Sequence, residues 1–134
     1  MNTVSAAEMK IKEFMFTLSD LAFNACDDET ASLDQKNWLY FSTQSLVPQL
    51  SKILGKSYVI EGKVSVYNDR NMIKIGDFPI LKKTVFEVQN YDGTWVKGFL
   101  DKGAYGMYLG GAGENIILTA GMSARLPFPI TANS

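Results

Sequence analysis

Few side chains in this sequence could carry chemistry, and the missing ones narrow the choice. Histidine does not occur among the 134 residues. That removes the commonest general base near neutral pH, the usual Ser and Cys triads and most transition-metal sites. The one cysteine, Cys26, precedes Asp27 and Asp28, whose negative charge opposes thiolate formation; a buried or helix-end thiol fits these neighbours better than a nucleophile. Asp27, Asp28 and Glu29 offer carboxylates to a cation, but the twelve-residue calcium-loop pattern is missing and the run reads as a solvated loop. Gly110-Gly-Ala-Gly113 has the composition of a phosphate cradle without the following Lys-Ser or Lys-Thr, so a strand connection is expected. Asp69 and Arg70 could pair across a site, although Asn68-Asp69-Arg70-Asn71 is ordinary turn chemistry. Glu87, Asp92 and Asp101 have no spacing that points to paired acid and base roles. The expectation is no catalytic residue, no cofactor and no metal.

Apolar and aromatic side chains are the remaining candidates. Met9, Phe16 and Phe23 are seven apart, which places them on one side of a helix, opposite its main apolar stripe. Either the rest of the fold covers this second side, or a partner protein or second copy does. Trp38, Tyr40 and Phe41 likewise point away from a Leu39, Leu46, Leu50 stripe and would be good binding anchors if exposed. Further along, Trp95, Tyr105 and Tyr108, with Tyr67 and Tyr91, could line a groove between loops or pack in the core.

The elements that hold these residues follow from periodicity. Ser5 and Glu8 have capping-box spacing, so a helix is expected from there to about Cys26, with Ile11, Phe14, Met15, Leu18, Leu21, Ala22 and Ala25 as its inner stripe. Asp27 to Thr30 reads as a connection. Ser32 with Gln35 opens a second helix, with Leu39, Leu46, Leu50 and Ile53 inward, which closes at Gly55. Pro48 predicts a kink or break near Leu46 and Val47. The period then changes to two: strands are expected over 58–67, 72–75, 84–91, 94–100, 104–109, 116–118 and 122–126. Asn68-Asp69 makes one turn, and Asp92-Gly93 signals a two-residue hairpin with positive φ at both positions. Asp101-Lys-Gly103 turns the chain again, and Pro127 and Pro129 should keep the tail out of a central strand. Short strands at this spacing favour a small closed or nearly closed barrel.

Composition sets the limits. The chain suits one compact domain, with 46% hydrophobic and 20% charged residues. Thirteen basic and fourteen acidic residues leave a net charge of −1, without the basic excess that neutralises nucleic-acid phosphates. A lone cysteine suits a reducing compartment, and neither a leader nor a membrane-length apolar run stands out. A cytoplasmic protein is expected.

From Gly62 to Leu126 the order of landmarks resembles a family of small SH3-like barrel domains of unknown function, found on plasmids, phages and integrated elements of Gram-positive bacteria. The matching pieces are Asn68-Asp69-Arg70, Phe86-Glu87-Val88, Gly93-Thr94-Trp95-Val96, Tyr105-Gly106-Met107-Tyr108-Leu109 and Gly121-Met-Ser-Ala-Arg125-Leu126. The resemblance implies a barrel and a mobile-element setting and brings no catalytic residues with it. Where the family commonly has a tryptophan beside the Tyr108-type aromatic, this chain has Tyr105 to Met107. Residues 1–57 lie outside the match. The expected architecture is α+β: an N-terminal antiparallel helical pair over 1–57, then a small five-stranded SH3-like β-barrel over 58–134. The expected function is a non-enzymatic protein-binding module, in that setting an inhibitor of a host defence nuclease of the anti-CRISPR type. The alternative is a nucleic-acid-binding accessory protein that presents Lys74, Lys82, Lys83, Lys97 and Lys102 on one barrel face.

Overall fold

The computed structural model describes residues 2–55, 59–111 and 113–130. Two helices, α1 (Thr3–Ala25) and α2 (Leu33–Leu54), precede β1 (Val59–Tyr67), β2 (Met72–Ile75), β3 (Phe78–Leu81), β4 (Val85–Gln89), β5 (Trp95–Gly103), β6 (Gly106–Gly110), β7 (Ile116–Ile117) and β8 (Ser123–Pro127). The expected boundary at 57/58, the Tyr58 start of the first strand and Ala112 of the glycine run lie outside the described residues.

The first helix starts earlier than its sequence suggests. Asn2, not Ser5, is the cap: its side-chain oxygen accepts from the Ser5 N–H at 2.8 Å. Asn caps as well as Ser does, and the earlier start adds the intrahelical bond from Ala6 N–H to the Asn2 carbonyl. On α2 the capping box forms as expected, with Gln35 N–H donating to Ser32 Oγ at 3.1 Å and Ser32 N–H to Gln35 Oε1 at 2.8 Å. No break occurs at Pro48; the helix runs through it to Leu54, and Gly55 follows with φ 73°. Burial of Thr43, Val47, Ser51 and Leu54 on both sides of the proline outweighs the one lost backbone bond. Ser51 Oγ also donates to the Pro48 carbonyl and accepts from Ile130 N–H, which ties the helix to the chain after β8.

The expected five-stranded barrel, closed or nearly so, is instead an eight-stranded antiparallel sheet, ordered β3-β2-β1-β8-β4-β5-β6-β7 and open at both edges. Closure would require β3 and β7 to pair. β7 is only two residues long, and β3 packs against α1. The α+β class holds. β1 serves two partners, pairing with β8 over Val59–Lys63 and with β2 over Val64–Tyr67. Gly62 sits where it changes partner, and a Cβ there would meet the Gly76 nitrogen at 2.9 Å.

Local details differ as well. The β4–β5 turn has positive φ at Gly93 alone, not at Asp92. Gly93 N–H bonds the Asn90 carbonyl and Asn90 N–H the Thr94 carbonyl, so the loop has three residues rather than two. β5 runs on to Gly103, and the turn into β6 comes at Ala104-Tyr105. β8 lies in the middle of the sheet even though Pro127 is its last residue; the proline stands opposite Val59, at the start of β1.

One core joins helices and sheet. Met15, Val47 and Leu54 pack with Ile73, Ile75, Phe86, Leu100, Leu109, Leu126 and Ile130. A smaller cluster of Ala22, Phe23, Met72 and Leu81 forms where α1 ends. Among the described residues no helix is long and apolar enough to cross a membrane.

Candidate functional site

The helical anchors divide between core and surface. Phe23 is 6% exposed and packs edge-on against Tyr67 at 4.6 Å. The Arg70 guanidinium and the Lys74 ammonium each lie 4.2 Å from its ring centroid. As a binding anchor it is a misassignment: the sheet covers it. Tyr40 is likewise a lock between helix and sheet. Its hydroxyl accepts from Lys82 N–H at 2.9 Å and donates to the Asn71 carbonyl at 2.9 Å. Burial pushes this phenol up to about 12. Gln44, one turn on, donates to the Lys82 carbonyl. Arg70, in the Asn68–Arg70 turn, donates to the Phe23 carbonyl and pairs with Asp27. Its charge therefore caps the C-terminal end of α1.

Met9 and Phe16 remain accessible, with Phe16 edge-on to Phe78 at 5.5 Å. Phe16 forms one wall of an open groove of about 600 Å³ with Ile60, Ile75 and Phe78, rimmed by Glu13, Glu61 and Asp77. Trp38 and Phe41 are 70% and 60% exposed. Beside them on α2, Leu46 and Ile53 are also exposed, and on α1 so are Phe14 and Leu21.

These last four were expected inside; the rest of each stripe is largely there, with Met15 and Ala22 buried and Ile11, Leu18, Leu39 and Leu50 packed against the core, but each inner face is rotated enough to leave these four outside. The cause lies in small side chains. Ser19 on α1, and Thr43 and Ser51 on α2, are buried, because small residues let elements approach closely. Hydropathy scores Ser and Thr as polar and so misplaces the edge of the inner stripe. The usable signal was the four-residue spacing of Thr43, Val47 and Ser51. As a result large apolar side chains are exposed on both helices, and α2 carries no charge between Lys36 and Lys52.

The β-sheet aromatics do not converge. Trp95 lies under the Arg125 guanidinium at 4.0 Å, and Arg125 pairs with Glu87. Tyr105 is 89% exposed at the β5–β6 turn, at the far end of the nine-residue β5, about 25 Å from Trp95 at strand rise. Tyr108 is half-buried on β6, opposite Asp101 and Ile117. Tyr91 is exposed at the β4–β5 turn.

Four of the five lysines of the nucleic-acid reading are individually engaged. Lys82 and Lys83 pair with Asp101, whose carboxyl is held below its ordinary value by the Lys83 bond. Lys102 donates to the Asn68 carbonyl at 2.6 Å, Lys74 covers Phe23, and Lys97 stands opposite Glu87. In register across the sheet, Glu61, Arg125, Glu87 and Lys97 alternate in sign, so that this row of four carries no net charge.

The acidic loop and the thiol are also accounted for. Asp28 accepts from the Thr30 backbone and hydroxyl, and the hydroxyl bond foremost lowers its pKa. Cys26 is exposed at the end of α1, with Sγ 3.9 Å from the Ala22 carbonyl. Among the described residues no group of three His, Cys, Asp or Glu side chains is placed to hold a metal. Comparison with protein-family models, curated proteins and solved structures yields no match to this chain.

Proposed function

We propose that this chain is a non-enzymatic protein-binding module whose working surface is the outer face of the helical hairpin. The observation that carries the reading is the exposure of Trp38, Phe41 and Leu46 along the uncharged stretch of α2 between Lys36 and Lys52, with Ile53 exposed just beyond it and Phe14 and Leu21 exposed on α1. Large apolar side chains grouped on a surface mark interaction sites, and Trp is among the residues most often found as binding anchors. The resemblance of residues 62–126 to barrel domains on mobile elements supports a more specific form. In it the protein acts in the cytoplasm as an inhibitor of a host defence nuclease, of the anti-CRISPR type.

The test is a plaque assay in a host whose RNA-guided nuclease restricts a phage. Expression of the chain is expected to restore plaques, and expression of the Trp38→Asp variant is not. Unchanged restriction with the folded wild-type protein present would remove the nuclease-inhibitor form. A reproducible catalytic turnover, lost on changing Asp101 or Cys26, would overturn the binding-module reading itself.

A further inference from the structure

We propose that the exposed stripe of α2 binds a second copy of this chain, antiparallel, about a two-fold axis level with Thr43. The inference rests on the reading of the hairpin's outer face as a protein-binding surface, and it names the occupant of the α2 half.

The argument begins with the two charges that bound the stripe. Asp34 and Lys52 lie eighteen residues apart in sequence, which is five whole turns at about 3.6 residues per turn. Both therefore stand on the same flank of α2, separated along its axis by about 27 Å. Both are exposed, and neither forms an ion pair among the described residues. No charge lies on the stripe between them.

An antiparallel two-fold exchanges the ends of the helix and keeps the flank. Asp34 of each copy then faces Lys52 of the other, and the contact occurs twice. A parallel pair would bring Asp34 level with Asp34 and Lys52 level with Lys52, on opposite flanks, and would give neither an opposite charge to face. The stripe is thus charge-complementary to its own reversed copy, which is the requirement of an isologous interface.

Shape agrees with charge. The same axis brings Phe41 of one copy level with Ser45 of the other. Ser42 and Ser45 floor a shallow depression bordered by Leu46 and Gln49, and they lie nearest the axis. Small residues there allow the helices to approach to about 8–10 Å, so that a large side chain meets a small one on each side. Trp38 then covers the level of Pro48 and Gln49.

Light scattering and sedimentation of the full chain test the proposal. The wild type is expected to be a dimer, and Phe41→Asp, a change at an exposed position, a folded monomer by circular dichroism. D34K and K52D, each alone, should raise the dimer dissociation constant at least ~tenfold, because two attractive contacts become repulsive. The double variant D34K/K52D should recover it. Asp34 is in the first turn and Lys52 in the last, where both favour the helix dipole. If they served only α2 itself, the double variant would be the least stable of the set and would not regain association.

A wild type monomeric at every concentration overturns the proposal, as does a dimer indifferent to Phe41→Asp or a double variant that fails to recover. A monomer that binds bis-ANS, and loses that binding in Phe41→Asp, overturns the second copy alone and leaves the outer face as a surface for another protein. A monomer whose bis-ANS signal is the same in Phe41→Asp overturns both readings.

Discussion

Tyr40 shows how one side chain can be mistaken for an anchor. Its ring packs beside Phe41, at 5.6 Å between centroids, while its hydroxyl bridges the Lys82 N–H and the Asn71 carbonyl. Tyr40→Phe removes both hydrogen bonds, with an expected loss of about 1–3 kcal/mol in denaturant unfolding. The pH dependence has a definite sign. Burial raises the folded phenol to about 12 from 10.0, so the folded chain keeps a proton that the unfolded chain gives up near pH 10. The stabilisation is complete below pH 10 and disappears as pH rises through 12. The wild-type advantage over Tyr40→Phe should therefore shrink across that interval; a constant difference would contradict the buried hydroxyl. Gly98 makes a second residue-scale case. A Cβ there would meet the Gly110 carbonyl oxygen at 2.3 Å and Leu109 Cγ at 2.8 Å. Gly98→Ala should cost about 1–3 kcal/mol in thermal or denaturant unfolding, since a well-packed interior resists overfilling. Neither residue's role could be read from sequence, because a phenol's partner and a glycine's close neighbour are both set by tertiary contact.

At the scale of elements, the parts fixed by local chemistry were legible. The Ser32–Gln35 box is one, with both of its hydrogen bonds present. Ser32→Ala should lower stability by about 1 kcal/mol, read as a shift in the unfolding midpoint, because it leaves a first-turn N–H without its partner. The hairpin around Gly93 was legible too, although its loop is one residue longer than expected. β3 was not: Phe78, Pro79, Ile80 and Leu81 are all buried, so no alternation marks the strand, and proline argues against one except at a sheet edge. The edges of the helices' inner faces were misread for a related reason, although Met15, Ala22, Leu18, Leu39 and Leu50 do face the core. Phe14, Leu21, Leu46 and Ile53 have the spacing of an inner stripe, yet Ser19, Thr43 and Ser51 occupy the interior. Of the nine side chains singled out as partner anchors, Trp38 and Phe41 lie together on the outer face. Phe23 and Tyr40 belong to the junction between helix and sheet, and Trp95 is held under Arg125.

For the molecule as a whole, the order of strands makes stability collective. β8 inserts between β1 and β4, and its pairing with β1 joins Val59 to Pro127. The sheet is therefore incomplete until the last strand is in place. The helices depend on the same core, since Met15 and Val47 pack with Phe86, Leu109 and Ile130, while Tyr40 and Arg70 tie each helix to the turns of the sheet. Neither part has a hydrophobic interior of its own that is independent of the other, so unfolding should be a single cooperative transition. The two tryptophans, Trp38 on α2 and Trp95 on β5, allow this to be tested. In Trp38→Phe, fluorescence reports only on Trp95 and hence on the sheet, while far-UV circular dichroism is dominated by the helices. The two signals should share one midpoint in urea. Met15→Ala, which empties a fully buried position on α1, should lower both signals' midpoints together by an amount corresponding to about 2–5 kcal/mol. Were the dichroism midpoint to fall while the Trp95 transition stayed where it was, the helices would be a separable unit laid on a self-sufficient sheet, and the shared core would not be what holds the fold together.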